Sequence, residues 1–172
     1  DGNPLSSTNS EYGKELYLSN GTNYQFSMYM GANFLQPKNG NAIHRGTSSP
    51  MIYEFNGDDD MWIYIDNVLV LDIGGVHDAH SGKINFNTGV VSWKDCKTKG
   101  TPVESSMTLK EIFKNAGVFP DGTKWKEDQA GNYFTGNTFK DYTTHSFKMF
   151  YMERGGSASN LHMKFNIQVI PE

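Results

Sequence analysis

Between two apolar runs the chain places Asn56-Gly57-Asp58-Asp59-Asp60, three consecutive carboxylates where one strand ends and the next begins. Adjacent carboxylates repel one another, and a hard cation relieves that repulsion. Calcium takes six to eight oxygen ligands at about 2.3–2.6 Å, and an Asp-rich turn supplies two or three carboxylates with backbone carbonyls beside them. Magnesium, with its stricter octahedron, suits so flexible a turn less well. The bland reading of the same triplet is a solvated acidic turn. An EF-hand is excluded: with Asn56 as the first loop position, Met61 falls where Gly is required and Asn67 where the bidentate Glu belongs.

Other chemistry is weaker. His77 and His80, with Asp72, combine imidazole and carboxylate in a way that suits zinc. Two histidines three apart in a Gly-rich turn are more often solvated or hydrogen-bonded, however. Asp72 itself reads better as an acceptor for the Gly74-Gly75 turn than as a calcium ligand. Cys96 is the single cysteine, so an intrachain disulfide, a Cys-based zinc site and a Cys-x-x-Cys redox pair are all excluded. Neither a Gly-x-Ser-x-Gly elbow nor a phosphate-cradling glycine motif is present. Trp125, Tyr133, Phe134 and Tyr142 offer aromatic faces to sugar rings, though anchoring a long excursion of the chain is the favoured role for them.

The elements that hold these residues are strands. Leu161, Met163, Phe165, Ile167 and Val169 alternate with His162, Lys164, Asn166 and Gln168, the period-two pattern of a half-buried strand. Phe147, Met149 and Tyr151 alternate with Ser146, Lys148 and Phe150, so the second face of that strand is also partly apolar. Tyr24 to Met30 repeats the pattern. Met51–Phe55, Met61–Ile65 and Val68–Ile73 follow closely enough to read as a meander, with Asp66-Asn67 as a two-residue hairpin turn. One helix is expected over 106–116, where Leu109, Ile112, Phe113 and Ala116 recur at helical spacing before Gly117. The Gly-, Asn- and Thr-rich stretch 121–144 reads as a long ordered excursion.

With 172 residues, a single all-β domain is expected, an antiparallel β-sandwich with one short helix in an insertion spanning 91–144. Aromatics at 13% and 18 glycines suit short strands joined by tight turns. A formal net charge of -4 without a Lys/Arg block argues against a nucleic-acid partner. No apolar run reaches the roughly 20 residues that span a bilayer. The Asp1 start reads as a mature or excised segment. Asn20-Gly21-Thr22 is a glycosylation sequon that matters only in a eukaryotic secretory pathway.

The run from Phe55 through Asn56-Gly57-Asp58-Asp59-Asp60-Met61-Trp62-Ile63-Tyr64-Ile65-Asp66-Asn67 to Gly74-Gly75-Val76-His77 resembles the fibro-slime domain. That domain is a branch of the β-sandwich module family named for the anthrax protective antigen, which also includes the yeast flocculin lectins. Ser81-Gly82-Lys83-Ile84-Asn85-Phe86, Phe150-Tyr151-Met152-Glu153-Arg154 and Ser159-Asn160-Leu161 resemble its remaining motifs in order, so the likeness covers 51–90 and 145–170.

The resemblance implies a calcium-dependent, lectin-like adhesion module of a secreted or cell-surface protein, monomeric within a longer chain. A glycan on a host or neighbouring cell surface is the implied partner, and no catalysis is expected. Asp58 and Asp59 are implied as the paired calcium ligands, joined in calcium-binding relatives by a cis peptide. Glu153 and the Gly155 carbonyl are the implied further ligands. Arg154, Ser157 and Asn160 are expected to shape the sugar pocket, while the role of His77 looks structural. Asp60, where many relatives have Gly, is either a support for its neighbours or an exposed acid. A glycosidase built on Asp59 and Glu153 is disfavoured, because calcium between them holds both ionised and removes the proton donor. The rival reading is a structural or protein-interaction module in which calcium only stabilises loops.

Overall fold

The computed structural model describes residues 26–75, 79–95, 103–154 and 161–167. Expectations for Tyr24, His77, Gly155, Ser157, Asn160 and Val169 lie outside these residues.

The chain is an all-β antiparallel sandwich. One sheet has four strands in the order β1 (Phe26–Leu35), β12 (Thr144–Glu153), β5 (Asp60–Ile65) and β6 (Val68–Ile73). The other has five, ordered β13 (Leu161–Phe165), β4 (Ile52–Gly57), β7 (His80–Asn85), β8 (Val90–Asp95) and β9 (Val103–Thr108). Two small hairpins, β2 (Asn41–His44) with β3 (Thr47–Pro50) and β10 (Phe134–Thr135) with β11 (Thr138–Phe139), stand beside them.

Alternation explains the core. Met61, Ile63 and Ile65 of β5, with Phe147, Met149 and Tyr151 of β12, point inward and are fully buried or nearly so. They meet Tyr53, Phe55, Ile84 and Val91 from the five-stranded sheet, as in aligned sheets that interdigitate at about 10 Å. Phe165 packs against Phe147 with ring centroids at 4.8 Å and against Tyr53 at 5.3 Å. Gly82 lets the sheets close here, since a Cβ on it would sit 2.6 Å from Leu71 Cδ2.

The stretch from Met51 to Ile73 is not a meander. β5 and β6 do form the expected hairpin, with Asp66 (φ 48) and Asn67 (φ 65) both at the positive φ of a type I′ turn. β4, however, pairs with β7 and β13 in the opposite sheet. The chain therefore changes sheets between β4 and β5, at Asp58-Asp59.

The helix α1 (Leu109–Ala116) begins three residues later than expected, because Ser106 and Met107 pair with Ser92 and Val91 as the end of β9. Thr108 then caps the helix: its hydroxyl accepts from Glu111 N–H, and the Glu111 carboxylate accepts from Thr108 N–H at 2.8 Å. Gly117 (φ 74) ends it in the left-handed conformation. Leu109, Ile112 and Phe113 are its buried face.

Candidate functional site

The acidic run occupies the corner where the chain passes between the sheets. The Asp58–Asp59 peptide is trans, in place of the cis bond the resemblance implies, and the chain turns instead through the left-handed backbone of Asp59 (φ 60). Asp58 is half-buried, whereas Asp59 and Asp60 are each 3% exposed. Buried carboxylates need partners, and the end of β12 supplies them. Asp59 Oδ2 accepts the backbone N–H of Arg154.

Asp60 is held more completely. Its Oδ2 lies 2.6 Å from Arg154 Nε, and its Oδ1 accepts from Arg154 Nη2 at 3.0 Å and from Gly75 N–H at 2.5 Å. Of the two roles expected for Asp60, exposed acid is the wrong one. It is a buried, fork-bound anion that fixes Arg154 beside Asp59.

Glu153 is 2% exposed, and its Oε2 accepts from the Tyr151 hydroxyl at 3.0 Å. The ladder pairs Met152 with Asp60, so Glu153 lies one step beyond, level with the corner. The structure thus brings Asp59, Asp60, Glu153 and Arg154 to one end of the sandwich, with Asp58 in the same turn. The oxygens of Asp58, Asp59 and Glu153 are the donor type that suits a hard cation. Among the described residues, though, no three His, Cys, Asp or Glu side chains converge as a metal's ligand set. An ion here needs backbone carbonyls or other groups to complete it.

Asp72 does what its turn suggests: its Oδ1 accepts from Gly74 N–H at 3.1 Å. His80 is buried at the start of β7, opposite Gly57. The aromatics of the excursion are anchors. Phe119 stacks on Tyr133 at 4.3 Å and on Trp125 at 4.7 Å, and Phe134 is buried. Trp125 donates to Glu127, and hydrogen bonds from Thr123 and then from the Tyr133 hydroxyl hold the Asp121 carboxyl below its ordinary range. Only Tyr142 of that set is strongly exposed.

Sequence reasoning missed a different aromatic surface. Tyr29, Phe150, Trp62 and Tyr64 face outward from the four-stranded sheet. The signal was present in the alternation of Trp62 and Tyr64 with Met61, Ile63 and Ile65.

Fold and site together define an antiparallel β-sandwich with an acidic corner at one end. The chain is 36% identical over 67 residues to protein psiF of Dictyostelium discoideum, a match covering 37% of this chain and 10% of psiF. It is 38% identical over 65 residues to psiP, covering 38% of this chain and 7% of psiP, and 35% identical over 77 residues to psiB, covering 44% and 12%, both of the same organism. The matched stretch spans about a tenth of these relatives' length. No family model matches the chain, and no solved structure matches it.

Proposed function

We propose that this chain is a calcium-dependent carbohydrate-binding module of the fibro-slime type, serving adhesion within a longer extracellular or cell-surface protein. The observation that carries the reading is the set of buried carboxylates at the corner. Asp59, Asp60 and Glu153 are all nearly fully buried at this corner, Asp60 paired with Arg154, Asp59 accepting the Arg154 backbone N–H and Glu153 accepting from the Tyr151 hydroxyl. Carboxylates gathered at one corner repel one another, and a hard cation relieves that repulsion. A divalent ion at this corner would draw on Asp58, Asp59 and Glu153 together with backbone carbonyls and other groups, since the described side chains do not close a ligand set on their own, while Asp60 stays committed to Arg154.

Bound calcium offers sites that the vicinal hydroxyls of a sugar fill in place of water. Gly155 remains the proposed carbonyl ligand, and Ser157 and Asn160 the proposed sugar contacts. Extracellular placement follows from the ion, since free calcium is scarce in the cytosol.

Calorimetric titration of calcium into chelated wild type and Asp59→Ala tests the ion. Heat in the wild type that vanishes in the variant supports it, and no heat at several millimolar calcium sinks it. A glycan array read with and without calcium then tests the sugar. A second reading has its own support, because Asp60, accepting from both Arg154 and Gly75 N–H, already ties three segments together. On that reading the corner is structural, and calcium binds without any calcium-dependent glycan signal.

A further inference from the structure

The outer face of the four-stranded sheet departs from the polar surface that an antiparallel sheet ordinarily turns to water. Strand pairing lines up its outward side chains in rows. The middle row is Tyr29, Phe150 and Trp62, from β1, β12 and β5. On one side lie Gly31, Lys148 and Tyr64, and on the other Ser27, Met152 and Asp60. The rings touch: Tyr29 and Phe150 centroids are 5.1 Å apart, and Tyr64 meets Phe150 edge-on at 5.9 Å. Tyr29 is 60% exposed and Phe150 40%. These residues border a shallow depression of about 640 Å³.

We infer that this face is a second binding site, separate from the acidic corner, for an oligosaccharide lying across the strands with its rings on Tyr29, Phe150 and Trp62. Three strands at a spacing of about 4.8 Å carry the row over roughly 10 Å, the reach of two sugar rings. A pyranose has an apolar C–H face and a rim of hydroxyls. The site has the complementary form, π-faces on the floor and polar groups at the edge. Ser27, Asn67 and Lys148 stand at that edge, with Lys148 Nζ donating to Asn67 Oδ1 at 2.8 Å.

Charge points the same way. Lys148, which lines the depression, presents an ammonium donor to a ligand rich in oxygen. Gly31 is part of the device. A Cβ there would come within 2.7 Å of Tyr29 Oη, so the bare backbone is what lets the Tyr29 ring lie back over the strand. The inference shares a ligand class with the proposed function but needs no ion.

The test is a glycan array, followed by calorimetric titration with cellotetraose, chitotetraose and any array hit, all in EGTA. Wild type is compared with Phe150→Ala, Gly31→Val and Asp59→Ala. The first two alter only the outer face and are checked for folding by circular dichroism. The expected result is binding in EGTA that Phe150→Ala and Gly31→Val each weaken by about tenfold and Asp59→Ala leaves unchanged. Silence of array and titrations in EGTA overturns the site, as does binding that survives Phe150→Ala. Self-association of the wild type that Phe150→Ala abolishes assigns the face to a second copy of the chain and overturns it equally.

Discussion

Arg154 grips Asp60 from the end of β12 through two contacts, Nε to Oδ2 at 2.6 Å and Nη2 to Oδ1 at 3.0 Å. Its own backbone N–H meanwhile bonds Asp59. One residue thus fixes two adjacent carboxylates, one with its side chain and one with its main chain. Asp60 is almost fully buried, so the fork is the main answer to its desolvation.

Arg154→Ala is therefore expected to destabilise the sandwich by about 1–2 kcal/mol. Breaking a fully buried pair costs more, but the guanidinium is 44% exposed and its share is screened. Arg154→Lys should recover less than half of the loss, because an ammonium cannot form the two-pronged contact. Urea unfolding of the three proteins measures this, and a lysine variant as stable as wild type would show that charge alone matters.

Asp66 joins the hairpin turn to β12. Its Oδ2 lies 2.5 Å from His145 Nδ1, and its Oδ1 accepts from Ser146 N–H at 2.8 Å, while His145 Nε2 lies 2.7 Å from the Thr143 hydroxyl. Asp66→Ala strands a buried imidazole and a backbone donor, for an expected cost of about 3 kcal/mol. Asn67→Gly, at φ 65 in the same turn, should be neutral or stabilise by up to about 0.5 kcal/mol, since Gly favours this conformation and the side chain is exposed. Equal midpoints for Asp66→Ala and wild type would remove the link from the fold's energetics.

These contacts mark how far the sequence could be read. The alternation of Met61, Ile63 and Ile65 with Trp62 and Tyr64 reveals a strand because burial on one face is a local period. Asp66-Asn67 reveals a turn because positive φ is a local demand. Which sheet a strand joins is not local. β4 and β5 are separated by two residues yet pair with β7 and β13 on one side and β12 on the other, so a meander and a sheet crossing look alike in sequence. Asp60 likewise has its fork partner 94 residues away. Met107 falls inside the 106–116 stretch expected as helix but is claimed by pairing with Val91. The acidic corner was legible as a cluster, and its internal division of labour was not.

Tyr53 is fully buried, and among the described residues its hydroxyl bonds to sulfur, Met149 Sδ at 3.4 Å and Met61 Sδ at 3.9 Å. Thioethers are weak acceptors, so Tyr53→Phe should be neutral or stabilise by up to about 1 kcal/mol at neutral pH. Burial pushes the Tyr53 phenol well above its ordinary range. The unfolded chain therefore loses this proton near pH ~10 while the folded chain keeps it. The unfolded state then binds fewer protons, so the contribution is fully present below that pH and is lost as pH rises above it. The stability gain of Tyr53→Phe should be larger about one unit above the ordinary phenol value than at neutral pH. A gain that does not grow with pH would mean the phenol ionises in place.

Gly89 pins the excursion to the sandwich. It sits at φ 75 in the β7–β8 turn, and a Cβ on it would fall 2.2 Å from Asn137 O and 2.8 Å from Thr138 N. Its carbonyl accepts from Leu109 N–H at 2.7 Å, and Asn137 O accepts from Lys110 N–H at 3.2 Å, so turn, helix start and β10–β11 hairpin meet here. Gly122 (φ 82) has the same backbone handedness with nothing within 4 Å of its Cβ position. Gly122→Ala should therefore cost only the left-handed penalty of about 1 kcal/mol. Gly89→Ala adds a collision with backbone that no rotamer relieves, for an expected total of about 3 kcal/mol or more. Urea unfolding of the two variants isolates the contact from the conformational strain, and hydrogen exchange at the Lys110 amide should quicken only in Gly89→Ala. Equal losses in both variants would mean that the hairpin yields to the new methyl and that the joint is softer than its geometry.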